Sequence, residues 1–358
     1  MKFRPFEYME WAKLVPPAAN NLSRSGVGVP SWEELGVDLR EIALYGDHPY
    51  GYRPLLEAIA ARAGADPGNV IIVSGASQAI FLAAAALLEP GDHVLVERPA
   101  YEPLWSVPKV LGAEVGRIER RFEDGYAIDL GRLAASITPR TKLLVLTNLH
   151  NPSGAFLKRG DVEAVAALAA RSGAYVFVDE VYLEFLSAPK NRSAYGAAGN
   201  IISAGSLTKA YGLAGLRCGW ILTPLALAPL FRHVVDHVFV EHVFMAEQIA
   251  ARVFPRLDAL RERQQAGIAP NHARVAAFMA GEARLEWVEP ENGIIAFPRI
   301  KGPGSGDELA RRLREDYATS VVPGSFFEEP RHFRLGFGAA PEILDRGLAA
   351  IGRALGEI

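Results

Sequence analysis

Cysteine is almost absent from this chain: Cys218 stands alone in 358 residues, so an intramolecular disulfide framework is excluded. Lysine is scarce too, eight against thirty arginines, which makes each lysine easier to weigh. Basic residues hold no majority. Lys and Arg number 38 against 41 Asp and Glu, a net charge of −3, and that leaves no excess for neutralising a nucleic-acid backbone or an anionic membrane surface. Long hydrophobic runs are missing as well. The longest, Ala79 to Leu88, has ten residues, about half of the ~20 that span a bilayer. The first residues, MKFRPFEYMEWAKL, interrupt their apolar positions with charges and form no signal-peptide core, so a cytoplasmic location is expected. Nucleic acid and membrane are both set aside as partners.

What is present is the balance of a globular chain. Half of the residues are hydrophobic and 22% are charged, and the length exceeds twice the ~150 residues of an average domain. From residue 70 onward, apolar runs alternate with helical patterns: Val70 to Val73, Val94 to Val96, Leu143 to Leu146, Ala174 to Val178 and Ile201 to Ser203. This predicts an α/β fold with a mainly parallel sheet covered on both faces. Residues 1–40, with Pro16, Pro17, Gly26, Gly28 and Pro30, predict an extended N-terminal arm packing with a smaller domain. Residues 41–250 form the expected large domain. Residues 251–358 form the expected small α+β domain, with a helix over 256–280 kinked or broken at Gly267 and Pro270 and short strands at 293–297 and 332–337.

Ligands of open α/β sheets bind at the carboxyl ends of the strands, and polar residues follow each run: Ser74-Gly75-Ala76-Ser77-Gln78, Glu97-Arg98-Pro99-Ala100-Tyr101, Thr147-Asn148-Leu149-His150-Asn151-Pro152, Asp179-Glu180-Val181-Tyr182 and Ser206-Leu207-Thr208-Lys209. Gly75, Ala76 and Ser77 open a helix, where small residues let backbone N–H groups approach a phosphate. The same segment approximates a G-x-S-x-G nucleophile elbow, and Asp179 and His332 follow in the order of an α/β-hydrolase triad, so a hydrolase using Ser77 is the rival class. Lys209 shifts the balance. It follows a buried strand, and burial lowers a lysine pKa and frees the amine for Schiff-base chemistry. Ser206 and Arg217 nearby suit one phosphate. Asp179 ends an otherwise buried strand and needs a partner such as a pyridinium nitrogen.

Taken together, GASQ, PAYEP, NLHNPSG, VDEVY, SLTKAYGLAGLRCGW and FRLGFG, in this order over residues 45–338, resemble the fold-type I pyridoxal-phosphate enzymes, class I/II aminotransferases. The resemblance implies a pyridoxal 5'-phosphate cofactor held covalently by Lys209, with Asp179 at the pyridine nitrogen and Tyr182 and Asn151 at the ring oxygen. It places Tyr101 on the ring face, and Gly75, Ala76, Ser77, Ser206 and Arg217 at the phosphate. Arg334 falls where the family binds the substrate α-carboxylate, and Gly28 on a segment that closes over substrate. Tyr45 resembles a tyrosine donated across a homodimer interface to the partner's phosphate site. The Asn151-Pro152 bond is expected to be cis. Amino acids and 2-oxo acids are the implied substrates, and Lys209 the implied base at Cα.

Several points stay open. Lyases, decarboxylases and oxidases share this constellation. SLTKAYGLAGLRCG and VDEVYLEF are similar to the histidinol-phosphate aminotransferase branch, whereas NNLSRSGVGVP lacks that branch's Asn-Glu-Asn/Ser-Pro segment. His150, where many relatives carry asparagine, either faces substrate or only fills its loop. His233, His237 and His242 read as a packing or active-site wall surface, with no metal expected.

Overall fold

The computed structural model describes residues 3–186, 193–291 and 293–358. At its centre lies a seven-stranded sheet of β1 (Val70–Val73), β2 (His93–Arg98), β3 (Glu114–Glu119), β4 (Thr141–Thr147), β5 (Tyr175–Asp179), β6 (Ile201–Ser206) and β7 (Gly219–Leu222). The order is β1-β7-β6-β5-β4-β2-β3. Strands β6, β5, β4, β2 and β3 are parallel, and β7 runs antiparallel between β6 and β1.

The five apolar runs of the sequence are β1, β2, β4, β5 and β6. Strand β3 is an edge strand, and its residues EVGRIE are mostly part-exposed, so it carries no apolar run. Strand β7 is only four residues long and follows directly on the Lys209 loop. Strand geometry sends alternate side chains to opposite faces. In β4, Leu143 and Val145 join Val94, Val96, Phe177 and Ile202 on one face, while Leu144 and Leu146 join Val176, Val178 and Ile201 on the other. Both faces are covered, which is why the runs are continuous and not alternating.

The helices that matter for the site are α1 (Glu7–Leu14), α2 (Ala76–Leu87), α3 (Arg159–Ala170), α4 (Leu257–Gly281), α5 (Gly306–Tyr317) and α6 (Pro341–Ala354). Toward the C-terminus a three-stranded sheet, β8 (Ile295–Ala296), β9 (Val322–Pro323) and β10 (Phe333–Gly336), places β10 in the middle, antiparallel to both neighbours. Leu309 and Leu313 of α5 and Leu348 and Ile351 of α6 pack with Phe333 and Leu335.

Two sequence expectations need correction. The N-terminal arm is not extended throughout, because Glu7–Leu14 is helical; turn-forming residues begin only at Pro16, so the preceding stretch is free to coil. The arm then pairs Asn20–Asn21 in parallel with Thr319–Ser320 and buries Leu22 in the C-terminal core. The second correction concerns α4, which runs unbroken for 25 residues through Gly267 and Pro270. Its first turns pack Leu257 and Leu260 into the large-domain core, and its last turns pack Val275 and Met279 into the C-terminal core. Anchorage at both ends offsets the backbone hydrogen bond that an interior proline removes. Among the described residues, no helix is long and apolar enough to cross a membrane.

Candidate active site

The carboxyl ends of β1, β2, β4, β5 and β6 converge beside the N-terminus of α2, and β10 and the arm close the space. Asp179 is the last residue of β5 and is buried. One carboxylate oxygen accepts the Val181 N–H at 3.0 Å. Burial pushes its pKa up to about 6, with the nearby Glu97 charge adding to the rise and Val181 and Lys209 opposing it. Such a carboxylate lacks a full cationic partner and is suited to one.

Lys209 lies beyond the end of β6. Its Nζ donates to Ser25 Oγ at 2.9 Å and stands 5.8 Å from the centre of the Tyr182 ring. Burial lowers its pKa, the Arg334 and Arg217 charges add to the fall, and Tyr8 and Asp179 oppose it. The amine is thereby poised to lose its proton. Tyr182 is buried beside it, its own pKa raised by burial and held back by Arg334 and a hydrogen bond with Ser25.

Arg334 is fully enclosed. Its Nη1 donates to Asn151 Oδ1 at 3.0 Å, and its Nη2 to Tyr8 Oη at 2.9 Å and to the Ser23 carbonyl at 3.3 Å. Its Nε has no hydrogen-bond partner among the described residues. The rings of Tyr8 and Phe327 flank the guanidinium at 5.5 and 5.2 Å. This is a buried cation with hydrogen-bonding capacity to spare, as a carboxylate-binding arginine requires.

An anion cradle occupies the other end. Gly75, at φ +91°, caps α2 in a conformation that favours glycine, and a Cβ there would lie 2.8 Å from Arg217 Nη2. Arg217 Nη2 donates to the Ser74 carbonyl at 2.6 Å. Ser206 Oγ donates to the Cys218 carbonyl and accepts the Thr208 N–H. The first turn of α2 has N–H groups with no intrahelical acceptor, and Ala76 and Ser77 supply them. Tyr101 meets Tyr8 edge-on at 5.7 Å, and its hydroxyl donates to Met9 Sδ at 3.2 Å.

Lys209, Asp179, Tyr182, Asn151, Tyr101, Gly75, Ala76, Ser77, Ser206, Arg217 and Arg334 therefore share one edge. Gly28 does not join them. It is exposed, and its carbonyl accepts from Gln264 Nε2 at 3.3 Å. The arm turns earlier than expected and presents Ser25 to the site instead. Tyr45 is 91% exposed. The Asn151–Pro152 bond is not cis; among the described residues the cis bonds are Arg98–Pro99 and Asn148–Leu149. His150 is buried away from the cluster, with Nδ1 2.6 Å from Ser153 Oγ and Nε2 2.9 Å from the Pro99 carbonyl, and burial keeps it neutral. His332 stacks on Phe297 at 4.7 Å in the C-terminal region, so the Ser77, Asp179 and His332 triad is not assembled. His237 Nδ1 meets the His233 carbonyl at 2.7 Å and His242 Nε2 the Ile72 carbonyl at 2.7 Å.

Three contributors escaped the sequence. Ser25 and Tyr8 come from the arm, more than 180 and 320 residues from the partners they touch. The third is a buried chain behind Asn151. Arg120 Nη1 donates to Glu97 Oε2 at 2.7 Å, Glu97 Oε1 accepts the Thr147 N–H at 2.8 Å, and Thr147 Oγ1 accepts the Asn151 N–H at 3.0 Å. Glu97 offered a signal, since it directly follows the apolar run Val94 to Val96.

The donor set fits pyridoxal 5'-phosphate: an amine, a carboxylate short of a cation, a phenol with a carboxamide, an aromatic ring and an anion cradle, in one cleft. Residues 30–351 match the family model for aminotransferase class I and II. The chain is 34% identical to capreomycidine synthase of Streptomyces vinaceus, covering 95% of this chain and 90% of that one. It is 31% identical to arginine–pyruvate transaminase of Pseudomonas aeruginosa, covering 81% and 78%. Among solved structures, a PLP-dependent cyclase, OrfR, superposes with a TM-score of 0.90 at 30% identity, covering 100% and 98%.

Proposed function

The chain belongs to the class I and II aminotransferases, pyridoxal-phosphate enzymes that move amino groups between amino acids and 2-oxo acids, and from that premise we propose the roles of its residues. Lys209 holds the cofactor and, once free, carries the proton removed from substrate Cα. Asp179 faces the ring nitrogen, Tyr182 and Asn151 face the ring oxygen, and Tyr101 covers the ring. Gly75, Ala76, Ser77, Ser206 and Arg217 take the phosphate. Arg334 grips the substrate carboxylate. When bound, the cofactor supplies an electron sink for the carbanion at Cα. The observation that carries this reading is the half-buried amine of Lys209, 2.9 Å from Ser25 Oγ and 5.8 Å from the Tyr182 ring centre, lying between the charges of Asp179 and Arg334.

The protein's work is placement. Arg334 and Asn151 fix the carboxylate end of the substrate, which leaves Cα toward Lys209 and lowers the entropic cost of the proton transfer. The carboxylate of Asp179 favours a protonated ring nitrogen opposite it. Two chains form the working unit in this reading, and each partner's Tyr45 adds a donor to the phosphate cradle, where Ser77 and Arg217 are exposed.

The test is an absorption spectrum with added pyridoxal phosphate, for the wild type and Lys209→Ala, followed by a panel of amino acids. A visible band present only in the wild type, bleached by particular amino acids, is the expected result. Turnover should fall by about 10²–10⁴-fold or more in Lys209→Ala. Undiminished activity in that variant would sink the assignment.

The names of the relatives favour a second reading, in which an arginine-type amino acid is the substrate and the reaction proceeds to ring closure. Incubation with L-arginine or with an L-arginine hydroxylated at Cβ, each with pyruvate, separates the two. Alanine formation marks transfer, whereas loss of the Cβ hydroxyl as water with a guanidine nitrogen bonded in its place, the amino nitrogen retained and no alanine formed, marks cyclisation.

A further inference from the structure

The arm residue Ser25 is buried against the two side chains that handle protons in the proposed site. Lys209 Nζ donates to its Oγ at 2.9 Å. Tyr182 lies beside the same amine, its ring centre 5.8 Å from Nζ. Ser25 Oγ is thus an acceptor for one amine N–H at the point where the lysine meets the phenol.

The position of Ser25 is not incidental. Asn20 and Asn21 are paired with Thr319 and Ser320, Ser23 is held by Asn21 Oδ1, and the Ser23 carbonyl accepts from Arg334 Nη2 at 3.3 Å. The arm therefore runs from the carboxylate-binding arginine to the lysine amine within three residues. A substrate held by Arg334 would lie along this stretch, with Cα facing Lys209 and Ser25 behind the amine.

We propose that Ser25 is a further catalytic residue, whose hydroxyl accepts a hydrogen bond from Lys209 while the lysine carries the Cα proton. In that step the C–H bond at Cα breaks, its electron pair stays on the substrate, and the proton forms a new N–H bond on Nζ. The ammonium so formed donates to Ser25 Oγ, and Ser25 keeps its own proton. The hydroxyl steadies the charged lysine and fixes its direction without itself changing protonation. This inference rests on the assignment of Lys209 as the cofactor-binding base.

The test compares Ser25→Ala and Ser25→Thr with the wild type in two measurements. The first is the pH dependence of the rate at which cofactor-free protein captures pyridoxal phosphate, read from the visible band. Losing an acceptor for the ammonium destabilises it, so the profile of Ser25→Ala should move to lower pH by about one unit, while Ser25→Thr should overlay the wild type. The second uses the panel amino acid that bleaches the wild-type band fastest, with hydrogen or deuterium at Cα. Ser25→Ala should lower kcat at least about tenfold, with a larger deuterium effect and little change in KM. Coincident capture profiles and kcat within about twofold of wild type would overturn the role of Ser25 while leaving Lys209 in place. A band that survives Lys209→Ala would instead remove the underlying assignment, and the inference with it. If Ser25→Ala does not load cofactor, Ser25→Cys keeps the volume with a weaker acceptor, and wild-type values in that variant overturn the proposal equally.

Discussion

At the residue scale the site depends on burying groups that water would otherwise neutralise. Asp179 shows this most directly. Its folded pKa, about 6, lies above the ordinary 3.8, so the native cofactor-free protein holds a proton that the unfolded chain releases. Stability from this group is present below pH 4 and is lost as pH rises through about 6. Relative to Asp179→Asn, the cofactor-free wild type should therefore lose about 3 kcal/mol between pH 4 and pH 7, measured by urea unfolding. A difference that stays flat with pH would count against the shift. Bound cofactor should reverse the trend by giving the carboxylate its cation. Glu97 and Arg120 illustrate the alternative arrangement, in which a fully buried carboxylate has its cation built in.

At the element scale two features carry predictions. Helix α4 tolerates Pro270 because both of its ends are anchored, and the proline still costs one backbone hydrogen bond. Pro270→Ala should raise stability by about 2 kcal/mol, seen as a higher melting temperature with the site unaffected. An unchanged or lower melting temperature would mean that the helix is bent to suit the proline. The second feature is the tight approach of β7 to the phosphate loop. A Cβ on Gly219 would lie 2.8 Å from the Gly205 carbonyl oxygen and 2.9 Å from Gly75 Cα, both backbone atoms that cannot rotate away. Gly219→Ala should push the start of α2 outward, costing about 1–3 kcal/mol in stability. Cofactor affinity should fall about tenfold in the same variant, read by titrating the visible band.

At the scale of the whole molecule, the arm and the C-terminal sheet complete a site that the large domain begins. Arg334 comes from β10, Tyr8 and Ser25 from the arm, and everything else from the large sheet's edge. The exposed apolar residues Leu44, Tyr45, Val240 and Val243 mark a surface suited to a second copy of the chain. Tyr45→Phe should weaken cofactor binding about 10- to 100-fold by losing one hydrogen bond to a charged group, with no change of mass in light scattering. Mixing Tyr45→Phe chains with Lys209→Ala chains decides where Tyr45 acts. If it serves the partner's site, each hybrid dimer regains one site of normal affinity; if it serves its own chain, none is regained.

The amino-acid sequence by itself determined the class of sheet, because short continuous apolar runs alternating with helical patterns fit strands covered on both faces. It also determined the order of the polar groups at the strand ends, since a side chain at the end of a buried strand has one place to go. Asp179 and Lys209 were readable for that reason, whereas Arg217, which precedes β7, was read from its spacing to Lys209 and its motif. The edge strand β3 and the unbroken path of α4 were decided by packing against segments far away in the chain. The same holds for Ser25 in place of Gly28 and for the Tyr8 hydroxyl on Arg334. A hydroxyl in a turn-rich arm carries no local signal of its partner. Its role is set by where the arm is pinned, and pairing with Thr319 and Ser320, some three hundred residues away, is a fact of tertiary structure alone.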